Sequence, residues 1–214
     1  MFENLSLLKY EITHIAHNSM LLTACVLLSY FIGTISPAIL LGRIYGVDIR
    51  SSGSGNAGTT NVLRVIGKKA AVITLLVDIS KGFIVVAFAK SFAGDAFAML
   101  CGIAVLCGHI WPLFYEFKGG KGVATALGVI LAFDLGMGMM ILILALILIL
   151  LSMRVSVGAL VAAAAFPAFV YAMHPVYFAP SLLMAVIIWI KHRQNIGRIC
   201  RGEEPKLRFG KDKA

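Results

Sequence analysis

Long apolar runs alternate along the chain with short polar segments rich in glycine and basic residues. Crossing about 30 Å of hydrocarbon takes roughly 17–25 apolar residues. Residues 20–42 supply a first such run. Residues 70–89 form a second, interrupted by Asp78 and Lys81, and residues 96–115 a third, uncharged apart from His109. Residues 155–173 and 174–190 add two more, each containing Pro. The stretch 123–153 would be about 46 Å long as one helix. Asp134, Gly136 and Gly138 mark a break inside it. We read two short helices there, near 122–133 and 137–153. The pattern predicts an all-α, polytopic integral membrane protein with seven transmembrane helices.

Composition agrees with that class. Of 214 residues, 60% are hydrophobic and 14% charged, against about 45–50% and about 25% in soluble domains. A soluble core of this size could not hide so much apolar surface. Disordered, collagen-like and disulfide-rich classes are excluded too, since the four Cys show no CxxC pair or metal-ligand spacing. No basic region leads from the N-terminus into a small-residue cleavage site, so a removed signal peptide is not expected.

Charge then orients the spans. Seven spans put 43–69, 116–121, Arg154 and 191–214 on one side, and those segments hold every Lys and Arg except Lys9, Lys81 and Lys90. The positive-inside rule makes that side cytoplasmic, with the N-terminus outside and the C-terminus cytoplasmic. The net charge of +9 then reads as cations beside anionic lipid. No aromatic–basic interleaving supports nucleic-acid binding.

Three segments on that side carry chemistry. The first runs from Ser51 through Ser54, Gly55, Asn56, Gly58, Thr59, Thr60 and Asn61 to Arg64. Its glycines let backbone N–H groups converge on a phosphate, and Thr59, Thr60 or Asn61 could cap a helix aimed at an anion. A flexible linker is the competing reading. The glycines also match GxGxxG, but no strand precedes them. The second segment holds His109, then Lys118, Gly119, Gly120, Lys121 and Gly122. Lysines flanked by glycines suit a phosphate or a phosphoryl leaving group. No GxxxxGK[ST] is present, which argues against ATP. His109 either packs between helices or orients a lysine, a loop or the substrate. Asp78 and Lys81 share a helix face and read as an ion pair or as part of a site. In the third segment His192, Asn195 and Arg198 recur at every third residue. Arg grips phosphate bidentately, and Asn can bind a hydroxyl or an oxyanion. Beyond residue 200 the chain reads as a loose, charged end.

The segments suit a small phosphorylated solute meeting a lipid-borne group at the interface. No carboxylate cluster suggests a di-metal site, and no Ser-His-Asp set is evident. The His-x4-Asp pair of many acyltransferases is absent, because Ser19, Leu22, Phe114, Ala179 and Gly197 occupy the five Asp positions.

The stretches SGSGNAGTTNVLR, GHIWPLFYEFKGGKGVAT and KHRQNIGR closely resemble the bacterial acyl-phosphate-dependent glycerol-3-phosphate acyltransferases, the PlsY family. The likeness runs over about residues 20–205. It implies an N-terminal extension over 1–19, a transmembrane acyltransferase domain over 20–199 and a basic tail over 200–214. It further implies acyl transfer from acyl phosphate to the 1-hydroxyl of sn-glycerol 3-phosphate, giving lysophosphatidate and inorganic phosphate. No metal or cofactor is implied, and the setting is a bacterial inner or plasma membrane with the site facing the cytoplasm. Expected partners are the two substrates, membrane lipid and, transiently, the soluble enzyme that makes acyl phosphate. By that resemblance Ser54, Arg64, Lys121, His192 and Asn195 are catalytic. Residues 55–61 form a phosphate loop, and His109, Lys118, Gly119, Gly120, Gly122 and Arg198 join the binding site. The alternative is a transporter of a small phosphorylated anion, with Asp78, Lys81 and the Pro-containing spans lining its path.

Overall fold

A computed structural model describes residues 19–207. The N-terminal extension, apart from Ser19, and the tail from residue 208 onward lie outside the described residues. Helix α1 (Ser19–Thr34) and helix α2 (Pro37–Ile44) form one interrupted apolar stretch. Pro37 starts α2, where a missing N–H costs nothing, and the Ser36 hydroxyl accepts from the Ile39 N–H at 3.5 Å. Helix α3 (Thr59–Val65) is short and precedes α4 (Lys68–Ile110). The α4 run leaves helical geometry at Ala93 and Gly94, where Gly94 has φ 79°. There it doubles back. Lys81 lies 2.9 Å from His109, 28 residues further along, a separation of about 42 Å in a straight helix.

Helix α5 (Val123–Phe133) is followed by α6 (Leu135–Ser152), α7 (Val155–Met173), α8 (Phe178–Lys191) and α9 (Arg193–Cys200). The break between α5 and α6 falls at Asp134, whose carboxylate accepts from the Met137 N–H at 2.9 Å and meets His174 Nε2 at 2.8 Å.

Among the described residues, four helical stretches are long and apolar enough to cross a membrane: Ser19–Ile44, Lys68–Tyr115, Leu135–Ser152 and Val155–Met173. A fifth arises if Pro175–Lys191 and Arg193–Cys200, bent by 62°, count as one span. This corrects the expectation of seven. An apolar window reports residue character, not helix continuity. The windows 70–89 and 96–115 fall within the single apolar stretch Lys68–Tyr115, folded at Ala93 and Gly94, and α5, with 11 residues, is only about 16 Å long. The placement of the termini followed from the parity of seven and falls with it.

The core lies between α4, α5, α6, α7 and α8, around Val86, Leu106, Val129, Met137, Phe166 and Met184. Helices α1 and α4 meet at Gly33 and Gly108, where a Cβ on Gly33 would come within 2.9 Å of the Gly108 Cα. Small residues permit such backbone approach in membranes. Ile84, Leu150 and Leu151 are among the large apolar side chains on the outside, an outer face suited to lipid rather than water.

Candidate active site

Residues from distant parts of the chain converge at the α8–α9 bend. His192 occupies the bend, and its Nδ1 lies 2.8 Å from the Ile188 carbonyl. A carbonyl only accepts, so Nδ1 carries the proton and Nε2 is left as an acceptor. Asn195, one turn into α9, is buried. Its Nδ2 donates to Glu204 Oε1 at 2.6 Å, while its Oδ1 accepts a very short hydrogen bond from the Lys121 ammonium.

Glu204 was not anticipated from the sequence. It is 6% exposed, and it also accepts from Ser156 Oγ at 2.7 Å and Arg198 Nε at 2.7 Å. Arg154 Nε donates to its backbone carbonyl at 2.9 Å, and the Leu207 N–H donates to the Met153 carbonyl at 2.6 Å. The chain is therefore tied down through Leu207 rather than loose beyond 200. No local signal distinguishes Glu204 from a solvated tail residue, since its partners come from α7 and α9. Burial pushes its carboxyl up, but the bonds from Ser156, Asn195 and Arg198 outweigh that and hold it below its usual value.

Lys121 is set by the glycine segment before it. The Gly119 N–H donates to the Ile110 carbonyl and the Gly120 N–H to the His109 carbonyl, both at 3.2 Å. A Cβ on Gly120 would collide with His109 Nε2 and come within 2.9 Å of the Ala57 carbonyl, so only glycine fits between them. Burial, then the Arg198 charge, push the Lys121 ammonium down to about 8; Arg64 and Lys191 add to this and Glu204 opposes it. Lys118 instead pairs with Glu116 at 2.8 Å on the exposed surface.

The Ser51–Arg64 segment is shaped by Asn61. This buried side chain accepts from the Ser54 N–H at 2.8 Å and donates to the Ile49 and Ser52 carbonyls at 3.1 and 3.0 Å. None of Thr59, Thr60 and Asn61 caps α3. The N-cap is Gly58, without a side-chain bond, because Asn61 is engaged with the loop. The Thr59 Oγ1 is buried with no partner among the described residues. Ser54 and Arg64 are exposed, and Arg64 is near enough for its charge to act on Lys121. Gly55, Asn56 and Gly58 belong to the same loop, from which Ala57 approaches Gly120. Gly122, at φ 88°, starts α5.

A narrow apolar cleft of about 60 Å³ opens beside this cluster, between α5, α6, α7 and α8. Val123, which lines it, is two residues from Lys121, and Ile188, which also lines it, is four from His192. Ala126, Ala145, Ala159 and Ala163 keep it open.

The profile of the family described as "Glycerol-3-phosphate acyltransferase" matches residues 23–202. The chain belongs to that family. It is 40% identical to the glycerol-3-phosphate acyltransferase of Geobacter sulfurreducens, over 89% of this chain and 98% of that protein. It is 43% identical to that of Klebsiella pneumoniae strain 342, over 88% of this chain and 94% of that protein. Among solved structures it superposes on crystal structures of PlsY (YgiH), an integral membrane glycerol 3-phosphate acyltransferase. The TM-score is 0.85 for the glycerol 3-phosphate form and 0.82 for the lysophosphatidic acid form. Identity is 34% in both cases, covering 87% of this chain and 96% or 95% of those chains. This glycerol-3-phosphate acyltransferase family member is an enzyme and a multi-pass membrane protein, and the transporter alternative is set aside.

Proposed function

We infer that this acyltransferase moves an acyl group from acyl phosphate to the 1-hydroxyl of sn-glycerol 3-phosphate, releasing lysophosphatidate and inorganic phosphate. The observation that carries the site assignment is the Lys121–Asn195 contact, braced by Glu204 and neighboured by Arg64 and Arg198, close in the chain to an apolar cleft lined by Val123 and Ile188. Cations suit two phosphates, and the cleft suits an acyl chain.

In this reading Arg64, Lys121, Arg198, the amides of residues 55–61 and the glycine segment 119–122 hold the phosphates. The unpartnered Thr59 hydroxyl favours a ligand at this loop. The glycerol hydroxyl attacks the acyl carbonyl carbon, and the acyl–phosphate C–O bond breaks. Asn195 has one Nδ2 proton left beyond its bond to Glu204, which with the exposed Ser54 hydroxyl can stabilise the oxyanion. The Nε2 of His192 accepts from the attacking hydroxyl and orients it. Glu204 is occupied by donors on both oxygens, so it is no base. The proton leaves with the departing phosphate.

The cationic cluster supports a cytoplasmic site by the positive-inside rule. Acyl phosphate would arrive through transient contact with the soluble enzyme that makes it, a step that cross-linking tests. Purified protein given acyl phosphate and glycerol 3-phosphate should release lysophosphatidate and phosphate one for one, while acyl-CoA gives no product. Equal turnover with acyl-CoA would overturn the donor assignment.

A further inference from the structure

Beneath the glycine segment lies a buried charged cluster to which the proposed reaction assigns no role. Asp78, Lys81 and His109 are 1%, 5% and 7% exposed. The Lys81 Nζ forms an ion pair with Asp78 Oδ1 at 2.7 Å and hydrogen-bond contacts with the Ile35 carbonyl at 2.8 Å and His109 Nδ1 at 2.9 Å. The Ile35 carbonyl is left open by the break before Pro37, so the ammonium also satisfies an interrupted backbone.

An ammonium has three N–H donors and no lone pair. The arrangement therefore makes His109 Nδ1 an acceptor and leaves the imidazole proton on Nε2. That nitrogen points to Gly120, where a Cβ would strike it, beside the Ala57 carbonyl. Among the described residues no protein group takes its proton. The competing arrangement, Nδ1–H donating to Asp78 Oδ1 at 3.2 Å, is longer and would set an N–H against the ammonium. A buried charge pair is costly inside a membrane unless it is compensated or used, and here it faces an unspent donor.

We propose that Asp78 and Lys81 are positioning residues that lock His109 in its Nε2–H tautomer, turning that N–H toward the glycine segment 119–122 and the phosphate held there. This rests on the phosphate-site reading above. Lys81 and Asp78 touch no substrate; they act through His109.

The test uses full-length protein in nanodiscs, with histidine labelled in the ring nitrogens and His109 assigned by the signal lost in His109→Gln. Wild type should show the Nε2–H tautomer, and adding glycerol 3-phosphate should move that resonance. In Lys81→Met the Nδ1–H form, bonded to Asp78, should dominate, and glycerol 3-phosphate affinity should fall about tenfold, the loss of one charge-assisted hydrogen bond. Should Lys81→Met not fold, the charge-neutral pair Asp78→Asn with Lys81→Met removes the lock without stranding a charge, and the same loss of affinity is expected. An Nδ1–H wild type, a resonance indifferent to glycerol 3-phosphate, or a folded variant with wild-type affinity would each overturn the proposal. The tautomer and binding readouts need no acyl donor, so they fail separately from the reaction itself.

Discussion

Burial of Lys121, with Arg198, Arg64 and Lys191 around it, lowers its ammonium to about 8. The positive charge is present below that pH and is lost as pH rises through it. A phosphate monoester has completed its second ionisation, near about pH 6, before then. Glycerol 3-phosphate binding, measured by calorimetry from pH 7 to pH 9, should weaken toward the alkaline end. Lys121→Met should bind weakly throughout and lose that slope; a flat wild-type profile would remove Lys121 from the phosphate. Asn195→Ala takes away both the Lys121 contact and the free amide proton. Turnover should fall by about 10²–10³-fold, the scale of losing one oxyanion donor, in steady-state assays of correctly inserted protein. Lys118→Ala, by contrast, removes only an exposed pair with Glu116, and activity should stay within about twofold, since such pairs contribute little.

At the scale of elements, α9 is a short helix held by the segment C-terminal to it. Ser156 of α7, and Asn195 and Arg198 of α9, all converge on the Glu204 carboxylate. Removing that acceptor strands buried donors, so Glu204→Ala should cost roughly 2–4 kcal/mol, read as a lowered Tm in detergent, and Glu204→Gln should lose less because it keeps the shape. A wild-type Tm in Glu204→Ala would show that the bend stands without it. The segment before α5 obeys a steric rule instead. Gly120→Ala would drive a methyl into His109 Nε2 and toward the Ala57 carbonyl, displacing Lys121; activity should fall sharply and Tm should drop too, since such overpacking costs about 1–3 kcal/mol. Glycine and lysine at 118–122 are plain in the sequence. Which lysine turns inward is not, because that depends on where His109 and Ala57 lie in space.

For the whole molecule, the distribution of cations sets the expected topology. Arg64, Lys121, Lys191 and Arg198 gather around the site, whereas Lys90 is paired with Asp95 and bonded to the Phe133 carbonyl near the turn of α4. In a cysteine-free background, Ser54→Cys, Lys118→Cys and Gln194→Cys should therefore react with an impermeant thiol label from one side, and Ser91→Cys from the other. Labelling of the first three from opposite sides would dissolve the site.

Residue character alone determined the membrane class, the helical class and the three segments from which the site is assembled, because hydropathy, glycine content and charge are local properties. The tertiary structure decided the rest: the four or five helical stretches long enough to cross, the inward turn of Lys121, the burial of Glu204 and the cluster of Asp78, Lys81 and His109. Each of these depends on contacts between residues far apart in the chain, and a carboxylate in a tail reads the same in sequence whether water or Asn195 surrounds it.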